Sequence, residues 1–140
     1  MNLSPHFTLE ELTVTDHRTL DNTPDDDAKV NLYRLAQFLE QVKEVLQFKP
    51  ILVNSAYRSA AVNAACGSRD TSQHRLGCAA DIRVPGMTPD AVVRAVIASK
   101  LDYDQVIREL TWTHISIPNT PETKPRKMAL IIDKAGTRPF

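Results

Sequence analysis

Two histidines and one aspartate in the second half of the chain have the side-chain chemistry of metal ligands. His74 lies in a polar loop, Asp81 follows seven residues later in a short apolar segment, and His114 lies in a segment of alternating polarity. Two imidazoles and one carboxylate are three protein ligands, which leave one position open on a tetrahedral zinc ion. Glu109 adds a carboxylate five residues before His114. These residue types fit a catalytic metal site better than a structural one.

Spacing alone leaves a second interpretation open. A single histidine is more often a surface residue or a hydrogen-bonded core residue than a ligand, and Asp81 could be a turn residue at a strand end. We interpret His6 and His17 as surface residues, because no recognisable motif adjoins them. Cys66 and Cys78 have no zinc-finger spacing, and we expect free thiols in preference to a bridge between them.

The elements that must position these residues can be predicted from periodicity and turn residues. A helical turn near the N-terminus has Thr8 as N-cap and Glu11 three residues later. Helices are predicted at 26–47, at 59–65 and from Pro89 onward. The apolar stripe of the first of these helices comprises Leu32, Leu35, Leu39, Val42 and Leu46. The apolar face of the last one comprises Val92, Val93, Val96 and Ile97.

Short apolar or alternating segments predict strands between these helices. The predicted strands lie at 51–55, 79–84, 103–108, 112–117 and 128–132. Together the elements predict an α+β domain in which helices pack on a small, mostly antiparallel sheet. We expect one domain, 1–140, with an N-terminal helical part at 1–50, a metal and catalytic core at 51–118 and a C-terminal tail at 119–140.

Composition excludes several classes of protein. The chain has 140 residues, with 17 basic and 17 acidic side chains and a formal net charge of 0. This balance argues against a nucleic-acid partner held by bulk positive charge. No apolar run approaches the roughly 20 residues that span a bilayer. The first residues lack the pattern of a secretory signal. We therefore expect no nucleic-acid or membrane partner, no signal peptide and a monomer.

Three separated motifs around the candidate ligands resemble those of one protein family. The first has the form Ser-x-His-x-x-Gly-x-Ala-x-Asp and is matched at every fixed position by Ser72-Gln73-His74-Arg75-Leu76-Gly77-Cys78-Ala79-Ala80-Asp81. The other two are Tyr57-Arg58-Ser59 and the segment from Glu109 to Trp112-Thr113-His114. In these motifs the chain resembles the zinc D-Ala-D-Ala peptidase family, peptidase family M15. The first 50 residues resemble small, often phage-encoded members, in Phe7, Leu9, Leu12 and Asp21-Asn22-x-Pro24.

The resemblance implies a fold and site roles. The implied fold is the α+β fold of zinc peptidases that resemble DD-peptidases and hedgehog domains. One Zn²⁺ per chain would be bound by His74, Asp81 and His114, with Glu109 as the catalytic base. Arg58 would contact a substrate carbonyl or carboxylate and stabilise a tetrahedral oxyanion. The remaining candidates for substrate binding are Ser72, Gln73 and Trp112.

Several of these roles have alternatives. Trp112 could belong to the core, and Gln73 or Asp104 could support the site from behind its ligands. Asp102 and Asp104 are alternative bases. Some members of the family have a longer turn than the Leu110-Thr111 segment that separates Glu109 from Trp112 here. The shorter turn affects the assignment of Glu109 as the base more than the assignment of the metal ligands.

The leading functional hypothesis is a zinc peptidase that cuts peptidoglycan stem peptides beside a D-amino acid, as a carboxypeptidase or an endopeptidase. A phage lysis protein would reach the cell wall from the host cytoplasm, and a virion-associated protein would reach it from outside. The alternatives are a non-catalytic wall-binding or virion module on the same zinc scaffold and a zinc dipeptidase for small D,D-dipeptides. A degenerate module would be expected to lack a ligand or the base, and this sequence has all of them.

Overall fold

The computed structural model describes residues 1–140 and combines four α-helices with eight strands. The helices are α1 (Leu9–Leu12), α2 (Asp26–Val45), α3 (Ala60–Ala65) and α4 (Pro89–Ala98), and a 3₁₀ helix spans Gln73–Leu76. The strands are β1 (Asn2–Ser4), β2 (Phe7–Thr8), β3 (Leu52–Ser55), β4 (Ala79–Arg83), β5 (Gln105–Arg108), β6 (Thr113–Ser116), β7 (Met128–Asp133) and β8 (Gly136–Pro139). The predicted α+β class is confirmed.

Six of the strands form one sheet in the order β3-β4-β6-β5-β7-β8. Every neighbouring pair is antiparallel except β5 and β7, which are parallel. The prediction of a mostly antiparallel sheet is therefore confirmed, and each predicted strand is present within a few residues of its expected bounds. The short β1–β2 pair and β8 were not predicted. All four residues of β8 are exposed, so this strand lacks the alternation on which a prediction depends.

The segment expected as a C-terminal tail, 119–140, contributes two strands to the sheet. Within it, β7 pairs in parallel register with β5, so that Met128 lies opposite Gln105. The residues just before Met128 are thereby placed beside the start of β5. A sequence with no further helix could not indicate this parallel pairing, because parallel strands usually need a helical crossover.

Helix α2 buries the predicted stripe against the sheet. Its N-cap is Asp25, whose side chain accepts a hydrogen bond from the Ala28 amide at 2.8 Å. The five stripe residues are between 0% and 3% exposed. The helix ends at Val45, short of the predicted end, because Gln47 and Phe48 have left-handed backbone angles with φ of 58° and 61°.

Helix α4 follows its predicted start but not all of its predicted face. Thr88 is the N-cap and Pro89 the first helical residue. Val92, Val93 and Val96 are buried, whereas Ile97 is 42% exposed and its assignment to the apolar face was wrong. Ile97 follows Val96 by one residue, about 100° further round the helix, at the flank of the buried stripe. None of the helices is both long and apolar enough to cross a bilayer.

The N-terminal part ties down the segment that carries Arg58. Thr8 and Glu11 form the predicted capping box of α1. The Asn22 amide nitrogen donates to the carbonyl oxygen of Tyr57 at 3.1 Å, and the Asn22 oxygen accepts from the Ser59 amide at 2.8 Å. The backbone on both sides of Arg58 is therefore fixed by one asparagine from the first 50 residues.

Gly77 lets the 3₁₀ helix that carries His74 pack closely on α2. Its φ is 78°, in the left-handed region that favours glycine. A Cβ there would lie 2.9 Å from the Ala28 carbonyl oxygen and 3.1 Å from Leu32 Cγ. Only a glycine satisfies both the backbone angle and the close approach.

We expect Gly77→Ala to lower the free energy of unfolding by about 2–4 kcal/mol, from left-handed strain plus overpacking. The matched control is Gly86→Ala, because Gly86 also has a positive φ but has no atom within 4 Å of the added Cβ. The control should lose only about 1–2 kcal/mol. Urea unfolding followed by circular dichroism measures both changes, and equal losses would contradict the packing role of Gly77.

Candidate active site

Three elements bring the predicted ligands together. Asp81 in β4 and His114 in β6 are direct cross-strand partners, and His74 lies in the 3₁₀ helix that precedes β4. His114 Nδ1 lies 3.0 Å and His74 Nε2 lies 3.4 Å from Asp81 Oδ1. One ligand atom from each residue lies within 4.8 Å of the other two. The fold therefore converges the set that the sequence separates by up to 40 positions.

The donor set fits a zinc ion. Zn–N and Zn–O bonds of about 2.0–2.2 Å place tetrahedral ligands about 3.3 Å apart, close to the separations from Asp81 Oδ1. His74 Nδ1 lies 2.6 Å from the Ala56 carbonyl oxygen. A carbonyl only accepts, so Nδ1 carries the proton and the neutral ring presents its unprotonated Nε2 to the cluster.

The surroundings favour the protonation states that a metal requires. Burial lowers the pKa of His74 and outweighs the opposing effect of Asp81, with the charges of His114 and Arg58 adding to the decrease. Burial acts to raise the pKa of Asp81, but the neighbouring imidazoles of His114 and His74 outweigh it and hold that pKa well below its ordinary value. A neutral His74 and a charged Asp81 are the ligand forms of these two side chains.

Arg58 lies behind Asp81 and holds its second oxygen. Arg58 Nη2 donates to Asp81 Oδ2 at 3.1 Å, Nε to Ser55 Oγ at 3.0 Å and Nη1 to Ser68 Oγ at 3.0 Å. The Arg58 side chain is 11% exposed. One of its five N–H groups thus binds the carboxylate, two bind serine hydroxyls that hold the guanidinium in place, and two are left over. Contact with substrate remains a prediction for Arg58.

Glu109 is placed by a tight hairpin turn between β5 and β6. The Glu109 amide donates to the Trp112 carbonyl oxygen at 3.0 Å across the Leu110-Thr111 segment. Trp112 Nε1 donates to Glu109 Oε2 at 3.0 Å, which aims the two side chains at each other. Burial, followed by the charge of Asp81, raises the pKa of Glu109. The compact turn therefore still brings a carboxylate to the ligand cluster.

One open cleft of about 500 Å³ contains every predicted site residue. Its lining includes the metal-ligand candidates and the other predicted residues: Arg58, Ser72, Gln73, His74, Asp81, Glu109, Trp112 and His114. Ser72 caps the 3₁₀ helix by accepting from the His74 amide at 3.3 Å. Trp112 is half-buried in the cleft wall.

The alternative bases lie outside this cleft. Asp102 has an exposed side chain 3.5 Å from Lys127. Asp104 is buried and bound by Arg126, which outweighs burial and lowers the pKa of Asp104. Glu109 is the carboxylate that shares the cleft with the ligands, apart from Asp81 itself.

The structure also places residues that the sequence did not single out. Arg126 and Gln105 line the cleft, as does the exposed thiol of Cys66. Arg126 lies in an irregular segment with no motif around it, so no local signal could identify it. Cys66 and Cys78 are both free, as expected. Burial raises the pKa of Cys78 to about 11.

The chain should bind one Zn²⁺, and His114→Ala should weaken binding by at least about a hundredfold, because it removes a ligand and not a supporting group. Zinc content after dialysis and isothermal titration calorimetry measure this. His17→Ala is the control, since His17 lies outside the cleft. Full zinc occupancy in His114→Ala would contradict the ligand assignment.

Comparison with known proteins agrees with the geometry. Residues 5–116 match the model of the family described as peptidase M15. No curated protein matches the chain significantly. The matched range includes the ligand candidates and Glu109 but stops before Arg126, and members of the family are zinc-dependent. Because the match covers most of the chain and the cleft carries a metal-ligand set beside a carboxylate, this chain belongs to the peptidase M15 family.

Proposed function

We propose that this protein is a zinc peptidase that hydrolyses peptide bonds at D-amino acids in peptidoglycan stem peptides or crosslinks. Membership of the M15 family supports a peptidase that acts on peptidoglycan. The observation that carries the proposal is the presence, in one cleft, of a candidate His-Asp-His ligand set and of Glu109, a carboxylate that forms no ion pair. A D,D-carboxypeptidase and an endopeptidase would both use this arrangement.

The proposed chemistry divides between the ion and the side chains. A zinc ion held by His74, Asp81 and His114 would lower the pKa of water and polarise the scissile carbonyl. Glu109 takes a proton from the attacking water and passes it to the nitrogen of the departing amine. Its raised pKa suits this exchange, because the carboxylate is more basic than an ordinary glutamate.

The other cleft residues serve binding in this proposal. Arg58 has two unused N–H groups for the oxyanion of the tetrahedral intermediate, and its charge is fixed. Ser72 and Gln73 immediately precede the candidate ligand His74 and line the cleft, and Trp112 provides a wall against which a substrate side chain can pack. All of these residues come from one chain, so the activity proposed for the single 1–140 domain needs no second copy.

The proposed setting is cell-wall degradation, in particular phage lysis. The resemblance of the first 50 residues to small phage-encoded members supports this setting. The protein would then act in the peptidoglycan layer, after release from the host cytoplasm or as part of a virion.

The direct test is mass spectrometry of purified peptidoglycan fragments incubated with the zinc-loaded protein, with and without a chelator. We expect products that vanish when the chelator is present, because the ligand set requires the metal. Loss of one alanine mass identifies a carboxypeptidase, and a split stem or crosslink identifies an endopeptidase. Absence of products from zinc-loaded protein would favour the non-catalytic wall-binding module.

Glu109→Gln is the variant that separates catalysis from zinc binding in this assay. Glutamine keeps the size and an acceptor oxygen for Trp112 but cannot take a proton. Turnover should fall by about 10²–10⁴-fold with zinc content unchanged. Near-normal turnover would move the base to another carboxylate.

Trp112→Phe should move the acidic limb of the kcat/KM profile to higher pH. The Trp112 hydrogen bond favours the charged form of Glu109, so its loss raises the pKa of Glu109, and a base works only above its pKa.

The control for this pH profile is Leu110→Ala, since Leu110 is in the same turn but 57% exposed. Its acidic limb should stay in place. A Trp112→Phe profile that coincides with wild type would show that the indole does not tune Glu109.

A further inference from the structure

An ion pair built on a buried carboxylate stands at the end of the cleft away from Glu109. Arg126 Nη2 donates to Asp104 Oδ2 at 2.6 Å, and Arg126 Nε donates to both oxygens of Asp104 at 3.1 Å. The Arg126 amide also donates to Asp104 Oδ1 at 3.0 Å. The Asp104 side chain is 4% exposed. A buried partner with four bonds to one residue fixes the guanidinium in one orientation.

Arg126 retains donors that its partner does not use. A guanidinium has five N–H groups, and Asp104 engages those on Nε and one on Nη2, which leaves three. The Arg126 side chain is 50% exposed, against 11% for Arg58. These two arginines are the cleft's permanent cations. Arg126 is the one with a free face.

The strand register gives the position of Arg126 along the cleft. Gln105, Ile107 and Glu109 alternate along the β5 direction and line the cleft. Ile107 lies opposite the ligand His114, and Gln105 lies opposite Met128, two residues after Arg126. Along the direction of β5, the ligand cluster therefore lies between Glu109 on one side and Arg126 on the other.

The Asp104–Arg126 pair is linked to the 3₁₀ helix that carries His74. Gln73 Nε2 donates to Asp104 Oδ2 at 3.1 Å, and Gln73 immediately precedes the ligand candidate His74. The orientation of Arg126 is thus coupled to the same 3₁₀ helix that positions the metal site. This link gives Gln73 a positioning role through Asp104.

We propose that Arg126 binds a carboxylate of the substrate on the far side of the scissile bond from Glu109, with Asp104 as its positioning residue. The planar guanidinium fork matches two carboxylate oxygens. The ligand chemistry is a peptide carboxylate, from either the C-terminus or an acidic side chain near the cut bond. This inference rests on the proposed function for its substrate class.

The test compares Arg126→Gln and Arg126→Lys with wild type on a stem peptide and on its forms amidated at the C-terminus or at the side-chain carboxylate. Removing charge-assisted bonds should raise KM for the free-acid peptide by about tenfold to a hundredfold with little change in kcat. Lysine keeps the charge but not the fork, so its loss should be smaller. The amidated form that abolishes the difference between variants identifies which carboxylate is bound.

Two further measurements make the outcome decisive. Lys127→Gln is the control, because Lys127 is the neighbouring cation and lies outside the cleft. Isothermal titration calorimetry gives the affinity of each peptide for the Glu109→Gln variant, with and without Arg126→Gln. Because Glu109→Gln should cut the peptides very slowly, this measures the carboxylate contact without turnover. If the peptides bind with a preference for the free carboxylate that depends on Arg126, the inference is supported. If those peptides are then not cut, only the proposed function is contradicted. The inference would be overturned if Arg126→Gln changed the affinity for the free-acid and amidated peptides equally, or changed neither.

Discussion

The site depends on one carboxylate, Asp81, on a strand that is paired on both sides. Its strand is flanked by β3 and β6, and the side chain is 11% exposed. A charge so buried is costly unless paired and hydrogen-bonded. Arg58 on one oxygen and the His114 ring on the other supply that compensation. His114 therefore both stabilises the buried charge and belongs, with His74 and Asp81, to the candidate metal-ligand set.

The surrounding fold can be understood as support for those contacts. Asn22 fixes the backbone beside Arg58, the Ala56 carbonyl selects the His74 tautomer, and Gly77 admits close packing of the 3₁₀ helix on α2. Each contact crosses between elements that are distant in sequence. The ligand geometry is therefore held by backbone groups as well as by side chains, as an accurately positioned metal site requires.

Asp104 and Arg126 repeat the same physical arrangement at the other end of the cleft. Again a buried aspartate is paired with an arginine, but here the arginine faces the open space. Arg58 is largely enclosed and serves Asp81, whereas Arg126 is half exposed. The two pairs differ in how much of the guanidinium is left available, two N–H groups on the enclosed Arg58 and three on the half-exposed Arg126.

The sequence by itself determined the local elements and the candidate ligand set. Capping residues, the α2 stripe and the Ser-x-His-x-x-Gly-x-Ala-x-Asp motif are short-range patterns, so Thr8 and Leu32 could be placed in the fold, and His74 named as a candidate ligand, from the sequence alone. Tertiary structure alone decided the parallel pairing of β5 with β7 and the place of Arg126. Those depend on strand order, and an irregular segment carries no periodicity that specifies its spatial neighbours.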